Sequence, residues 1–325
     1  MVYTLLEHLS NELLISVFEY LDAVHLYHAF SDLNTRFNQI LNDSLIRLYF
    51  DSNNVRDYRD HYIFNRINRH QIITLTITSG RFLAYLKFYI STFINLQSII
   101  FNSTNHSQDF LSELEPLGKL RTLVVRNTLN ECEFVRRIVF ENELPQLRKF
   151  IYIPKVQHHY VEHVGLNDTT RNASNNLEYM KIQNVHSSNL AVFLRKSSNL
   201  KYLNVSITDT LETGVLSSKL IYLNINLFRT TYDNLYQLLH LSSLLNLKKF
   251  ELSGYGYDQK LLNGEKLRYL VSSVPSLRIF NVNMKINTTP SFEIKVATFE
   301  NEKIYWKNLK WYVEGMYATL RAELF

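Results

Sequence analysis

The most enzyme-like string in the chain is His159-Tyr160-Val161-Glu162-His163. On a helix, His159 and His163 would stand one turn apart, both imidazoles on one face, able to ligate zinc with Glu162 as general base. A catalytic zinc takes a third protein ligand as well. Cys132 is the single cysteine, so neither a cysteine-based zinc cluster nor a disulfide framework is available. No G-x-x-x-x-G-K phosphate loop, G-x-G-x-x-G turn or G-x-S-x-G nucleophile elbow occurs among the 8 glycines. The reading is therefore no catalytic residue, no metal and no cofactor, with the H-x-x-E-H string taken as a solvated helix face.

A second set of residues suits binding. Tyr179, Tyr202 and Tyr222 recur at one position of a repeated pattern, with Lys149 and Lys249 at the same position in the flanking copies. Two places further on, Lys181, Asn204 and Asn224 recur in the same way. Tyrosine offers a large apolar face and a polar tip, a combination enriched at protein interfaces. The eight residues make the expected substrate-binding patch. Ordinary stacking along a sheet is the alternative reading.

The pattern that positions them is Leu200-Lys201-Tyr202-Leu203-Asn204-Val205, with apolar anchors at offsets 0, 3 and 5. It begins at residues 72, 96, 120, 147, 177, 200, 220, 247 and 277, at intervals of 24, 24, 27, 30, 23, 20, 27 and 30. Offsets 3 and 5 differ by two, so in an extended segment both anchors point to one face. Offsets 2, 4 and 6, which carry the tyrosines, point to the other. Placing such strands side by side in parallel requires crossovers. Phe82, Leu83, Leu86, Tyr89 and Ile90, and likewise Leu235, Leu238 and Leu239, show the apolar spacing of helical crossovers.

Self-similarity of roughly 20–29 residues carried by L-x-x-L-x-L resembles a leucine-rich repeat. The resemblance covers about residues 70–325 and implies a solenoid with a parallel sheet, whose inner, concave face holds the tyrosines. The asparagine usual three places after the last anchor is replaced by Thr128, Lys155, Thr208 and Phe228. The H-x-x-E-H string also occurs in the inverted zinc peptidases, which take a further glutamate well downstream. At the corresponding distance stand Leu238, Leu239 and His240.

Before residue 70 the spacing becomes helical. Leu13, Leu14, Val17, Phe18 and Leu21 form one stripe, with Ser10 or Asn11 able to cap it and Glu12 at the positive helix end. Asp22 can cap a second helix bearing Leu26, Ala29 and Phe30, and a third carries Leu33, Phe37, Ile40 and Leu41. Such a unit is too small to be robust alone. Residues 5–48 resemble an F-box, in Leu9-Ser10, Glu12, Leu13-Leu14, Val17-Phe18, Tyr20-Leu21, His25-Leu26, Ala29-Phe30, Leu33-Asn34 and Arg36-Phe37. The family's proline is Ser10 here, and the usual acidic residue before Leu26 is His25.

The F-box resemblance implies docking on a Skp-type adaptor of a cullin-RING ubiquitin ligase through Leu9, Ser10, Glu12, Leu13, Leu14, Val17, Phe18 and Leu21. The repeats would then present a protein substrate. The alternative is a non-enzymatic leucine-rich-repeat scaffold whose N-terminal helices only cap the first repeat.

The expected architecture is thus α/β: an F-box-like three-helix domain at 1–50, a helical linker at 51–70, and a leucine-rich-repeat solenoid at 71–325 ending in an aromatic C-terminal cap. Composition agrees with a folded chain: 46% hydrophobic and 20% charged residues over 325 positions. Residues 1–70 hold six Lys and Arg against nine Asp and Glu, a balance of −3, and the remainder carries +8. That mild excess is too dispersed for a nucleic-acid footprint. No run approaches the roughly 18 apolar residues of a membrane span, and the first twenty residues lack the basic start of a secretory signal. The expectation is a cytoplasmic or nuclear protein.

Overall fold

In the computed structural model, the residues described are 6–55, 64–102, 110–126, 137–138, 142–153, 176–185, 190, 194, 197–207, 219–241, 244–256, 258–287, 306–314 and 317–324. His159, Glu162 and His163 lie outside them, as do Cys132, Tyr58, Tyr62, Ile63 and residues 292–299, where apolar and polar residues alternate in the sequence. The chain divides into two units, Met1–Asn130 and Glu131–Phe325.

The first unit opens with three capped helices. Ser10 Oγ accepts from Leu13 N at 3.4 Å to start α1 (Asn11–Phe18). Asp22 Oδ1 accepts from Val24 N at 2.9 Å to start α2 (Ala23–Phe30), and Asn34 Oδ1 from Phe37 N at 2.9 Å to start α3 (Thr35–Leu41). Each bond satisfies an amide that the helix itself leaves unpaired. The helices close on Phe18, Phe30 and Phe37, whose ring centroids lie 4.7, 5.5 and 6.2 Å apart. Leu14, Leu26, Ile40 and Leu41 complete this interior.

Four parallel strands follow in sequence order: β1 (Leu48–Asp51), β2 (Ile72–Ile77), β3 (Ser98–Asn102) and β4 (Thr122–Arg126). Anchor meets anchor, with Leu75 opposite Ile99, Ile99 opposite Leu123 and Phe101 opposite Val125. All five are fully buried. A one-residue slip would turn every anchor to solvent, which is why the register holds. Helix α4 (Gly80–Leu86) buries Phe82, Leu83 and Leu86 as the spacing predicts, and α5 (Leu111–Leu114) is a shorter crossover.

Strand β1 lies within the segment expected to be helix and linker, and the reason is visible in the sequence. Leu45, Leu48 and Phe50 repeat the offsets 0, 3 and 5. Leu48 and Phe50 are fully buried, but Leu45 is 72% exposed, and Ile46 is buried in its place. The parallel stack therefore begins one strand earlier than the nine copies indicate. Asp22 ties the helices to it: Oδ2 accepts from Asp51 N at 2.7 Å, beside a bridge between Asp22 and Tyr49. Buried Gln71 does the same for α3, donating Nε2 to Leu41 O at 2.8 Å and to Asp43 O at 2.5 Å. In the linker, Phe64 packs edge-on against Phe50 and Phe82, and Ile67 is buried.

The second unit continues the same construction. Strands β5 (Lys149–Ile153), β6 (Tyr179–Val185), β7 (Tyr202–Ile207), β8 (Tyr222–Thr230), β9 (Lys249–Gly256) and β10 (Ile279–Asn287) are parallel neighbours in order. Phe150, Met180, Leu203, Leu223, Phe250 and Phe280 form one register row across them, all buried. Helix α6 (Tyr232–Leu241) buries Leu235, Leu238 and Leu239, and α7 (Gly264–Ser272) buries Leu267 and Leu270. Of the nine offset-0 anchors only Leu277 is not fully buried. These paired strands, recurring apolar rows and helical crossovers are a leucine-rich-repeat type of fold.

Gly254 on β9 has φ +124°, and a Cβ there would lie 1.9 Å from the carbonyl oxygen of Leu227. Only glycine admits this approach of two backbones. At the C-terminus the strand direction reverses. Leu309, Tyr312 and Glu314, which keep the 0, 3 and 5 spacing with a charge in the last place, lie on β11 (Trp306–Glu314), which pairs antiparallel with β12 (Tyr317–Leu324). Strand β12 in turn pairs antiparallel with β10. A hairpin, with no crossover between its strands, thus occupies the place of a further parallel repeat.

Candidate interaction surface

In a parallel in-register sheet, residues at the same offset form a row across the strands, neighbours about 4.8 Å apart. The row at offset 2 runs Lys149, Tyr179, Tyr202, Tyr222, Lys249 and Ile279, each opposite the next. The three tyrosine rings are tilted along it, with centroids 6.1 Å apart from Tyr179 to Tyr202 and 6.4 Å from Tyr202 to Tyr222. Lysines cover both ends. Lys149 Nζ lies 4.9 Å from the Tyr179 ring centroid, and Lys249 Nζ lies 5.4 Å from that of Tyr222. Both are within cation–π range.

The row at offset 4 runs Ile151, Lys181, Asn204, Asn224, Glu251 and Asn281. None of the eight predicted surface residues is buried, and Tyr202 in the centre is 40% exposed. Lys149, Tyr179, Lys181, Tyr202, Asn204, Tyr222, Asn224 and Lys249 are therefore brought onto one sheet face.

Glu251, which the residue pattern alone does not single out, organises one end of this face. Its carboxylate accepts from the Tyr222 hydroxyl at 2.5 Å, Asn224 Nδ2 at 2.8 Å and Asn281 Nδ2 at 3.5 Å, and pairs with Lys249 Nζ at 2.7 Å. Burial pushes the Tyr222 phenol up, and its bond to Glu251 adds to this, to about 12. Partial burial also raises the Glu251 carboxyl, but Lys249 and Tyr222 together outweigh it and hold the acid below its ordinary value. The sequence signal was present: Glu251 occupies the strand beside Asn224, two places after Lys249. At the sheet margin, Glu178 pairs with Lys201 at 2.7 Å and Arg148 at 3.4 Å, and the Lys201 bond lowers its pKa.

The predicted docking residues of the N-terminal helices separate into two groups. Leu14 and Phe18, expected on the docking stripe, instead fill the helical interior and are fully buried. Successive helix positions are rotated by about 100°, so the residues facing Phe30 and Phe37 cannot also face outward. Leu13 and Val17 sit one turn apart on the outer side, 54% and 42% exposed, and Tyr20 just beyond α1 is 91% exposed. Ser10 and Glu12 are exposed, while Leu9 and Leu21 are half-buried.

The loop that carries Ser10 is held by Arg36. Its guanidinium donates to Glu7 O at 2.5 Å, Leu9 O at 2.6 Å and Asn11 Oδ1 at 2.8 and 2.9 Å. His25 stands 3.7 Å from Asp22, the cap of its own helix.

Among the described residues no group of three or more His, Cys, Asp or Glu is placed to hold a metal, and no helix is long and apolar enough to cross a membrane.

No protein-family model matches the chain, and no curated protein matches its sequence. Among solved structures it is similar to the leucine-rich repeat-containing protein LegL7 from Legionella pneumophila. The two are 14% identical, with 85% of this chain and 93% of that one covered, at a TM-score of 0.40. The repeat architecture stands on the strand register of this chain itself.

Proposed function

We propose that the chain is the substrate-recognition subunit of a cullin-RING ubiquitin ligase, its N-terminal helices docking on a Skp-type adaptor and the tyrosine row holding a protein substrate. The supporting observation is the outer side of α1. Leu13, Val17 and Tyr20 are exposed together, while the residues behind them are locked in a phenylalanine interior. A contiguous apolar patch left on a folded helical unit suits a protein partner. The F-box resemblance supplies its identity. In this reading the protein contributes no catalysis and takes no cofactor. It works where the ligase does, in cytoplasm or nucleus.

The second reading is a repeat scaffold without a ubiquitin role. It is favoured by the bonds from Asp51 N to Asp22 and from Gln71 to Leu41, which make the helices a cover for the first strand. Terminal repeats need such a cover in any solenoid.

Copurification decides between them. The full chain, coexpressed with a Skp-type adaptor, is expected to bring it down, and the Leu13→Asp/Val17→Asp variant to lose it while remaining folded by circular dichroism. A folded wild-type chain that captures no adaptor leaves the scaffold reading.

A further inference from the structure

The two ends of the tyrosine row differ in charge balance. At the β8–β9 end, Lys249 is neutralised by Glu251, whose oxygens are also filled by Tyr222 and Asn224. At the β5–β6 end, Lys149 and Lys181 have no carboxylate within ion-pair distance among the described residues. Glu178, next to Tyr179 in the chain, is already paired with Lys201 and Arg148. Lys149 lies opposite Tyr179, and Lys181 is two residues further along that strand, so their backbones are about 8 Å apart across the diagonal. Two lysine side chains rooted at that separation are long enough for both ammonium groups to reach one carboxylate. The hydroxyls of Tyr179 and Tyr202 add donors on the same side, with no acidic side chain among them.

We propose that this face binds an extended acidic peptide. One Asp or Glu side chain of the peptide is seated between Lys149 and Lys181, and an apolar or aromatic neighbour lies across Tyr202. The inference rests on the substrate-receptor reading and assigns its substrate class. Charge complementarity selects the occupant: among the described residues the open end carries two lysines and no carboxylate, while the far end is internally paired and neither attracts nor repels a second acid. A nucleic acid is disfavoured by the same distribution. A phosphate backbone needs a continuous cationic track, and the row passes from two open lysines to three neutral rings and then to Glu251. Lysine point charges, with no arginine fork among them, also suit a carboxylate whose position is fixed by stacking next to it.

The test is fluorescence anisotropy on the full chain with a labelled short peptide of alternating glutamate and tyrosine, beside its glutamine–tyrosine counterpart. The acidic peptide is expected to bind at least about tenfold tighter than the neutral one, a difference of roughly 1.4 kcal/mol. The preference should shrink as salt rises through the range where charges are screened. Lys149→Gln/Lys181→Gln is expected to abolish the preference, and Lys285→Gln, the same charge change on β10, to preserve it. Equal binding of both peptides, each lost in Tyr202→Ala, overturns the acidic class and leaves the face as a recognition surface. A phosphoserine peptide preferred over the glutamate peptide also overturns it, in favour of a modified substrate. No binding of the acidic peptide to the wild-type chain overturns the inference outright. The receptor reading fails separately, by the adaptor copurification.

Discussion

Tyr222 donates its hydroxyl to Oε2 of Glu251 at 2.5 Å, from one parallel strand to the next. The bond joins the aromatic row to the amide row of the same face; it adds to burial in raising the Tyr222 phenol and to Lys249 in lowering the Glu251 carboxyl. Tyr222 keeps its proton to about pH 12, whereas an unfolded tyrosine releases it near 10. A folded value above the unfolded one means that the contribution to stability is complete below pH 10 and is lost as pH rises toward 12. Tyr232, also pushed up to about 12 by burial, acts in the same window. Ultraviolet titration of tyrosinate should show late-ionising groups, with one fewer in Tyr222→Phe. Glu251 has the opposite sign, so its stabilisation is present at neutral pH and is lost on acidification. In Tyr222→Phe the loss should begin at a higher pH, as a carboxyl NMR titration can detect.

Truncating a central anchor tests the repeat construction. Leu203 is buried between Met180 and Leu223 in the register row. Leu203→Ala should cost about 2–5 kcal/mol, as buried leucine truncations do. Because each repeat touches its neighbours, amide exchange should rise mainly in β6, β7 and β8. Protection lost evenly along the whole second unit would mean one cooperative core.

Two glycines make a matched pair. At Gly254 a methyl group meets the Leu227 carbonyl at 1.9 Å and demands a positive φ, whereas at Gly118 nothing lies within 4 Å. Gly254→Ala should destabilise by about 3 kcal/mol or more, and Gly118→Ala should stay within about 1 kcal/mol of wild type. Denaturant titration of the two variants against wild type measures the contrast.

On α1, adjacent substitutions should have different consequences. Phe18→Asp places a charge among Phe30 and Phe37 and should unfold the helical unit, so its loss of adaptor would be indirect. Val17→Asp faces solvent and should spare the fold. Ser10→Pro fits the observed φ of −66° but removes the hydroxyl that caps Leu13 N. The stiffening and the lost cap oppose each other, and the net change should be under about 1 kcal/mol. Thermal melts of the three variants, with adaptor binding measured in parallel, separate folding from docking.

What the residues disclosed and what they concealed follow from how each feature is encoded. The anchors at Leu203 and Val205, the tyrosine row and the caps Ser10 and Asp22 depend on local spacing, which is directly readable. Strand β1 carries the same spacing at Leu45, Leu48 and Phe50 but follows directly on a stretch of helical spacing, and only packing decides that Ile46 rather than Leu45 is buried there. Phe18 and Val17 are equally apolar, and which of them is interior depends on where Phe30 and Phe37 approach. Glu251 became a hub through partners on three strands, which no single stretch of sequence brings together. The C-terminal reversal is fixed by strand pairing at β10, after the anchor pattern has ended.

The one-to-one register of the anchor rows has a consequence for how such a surface can change over generations. Each strand from β6 to β8 contributes one ring to the floor, so the floor behaves as a ruler graduated in whole repeats. Excising the segment 200–219 would bring Tyr222 beside Tyr179 with every anchor still matched, shortening the floor by one graduation of about 4.8 Å. Duplicating it would lengthen the floor by the same step, while Lys149 and Lys249 stay as end markers. Recombination could therefore tune the length of what is gripped without redesigning the interior.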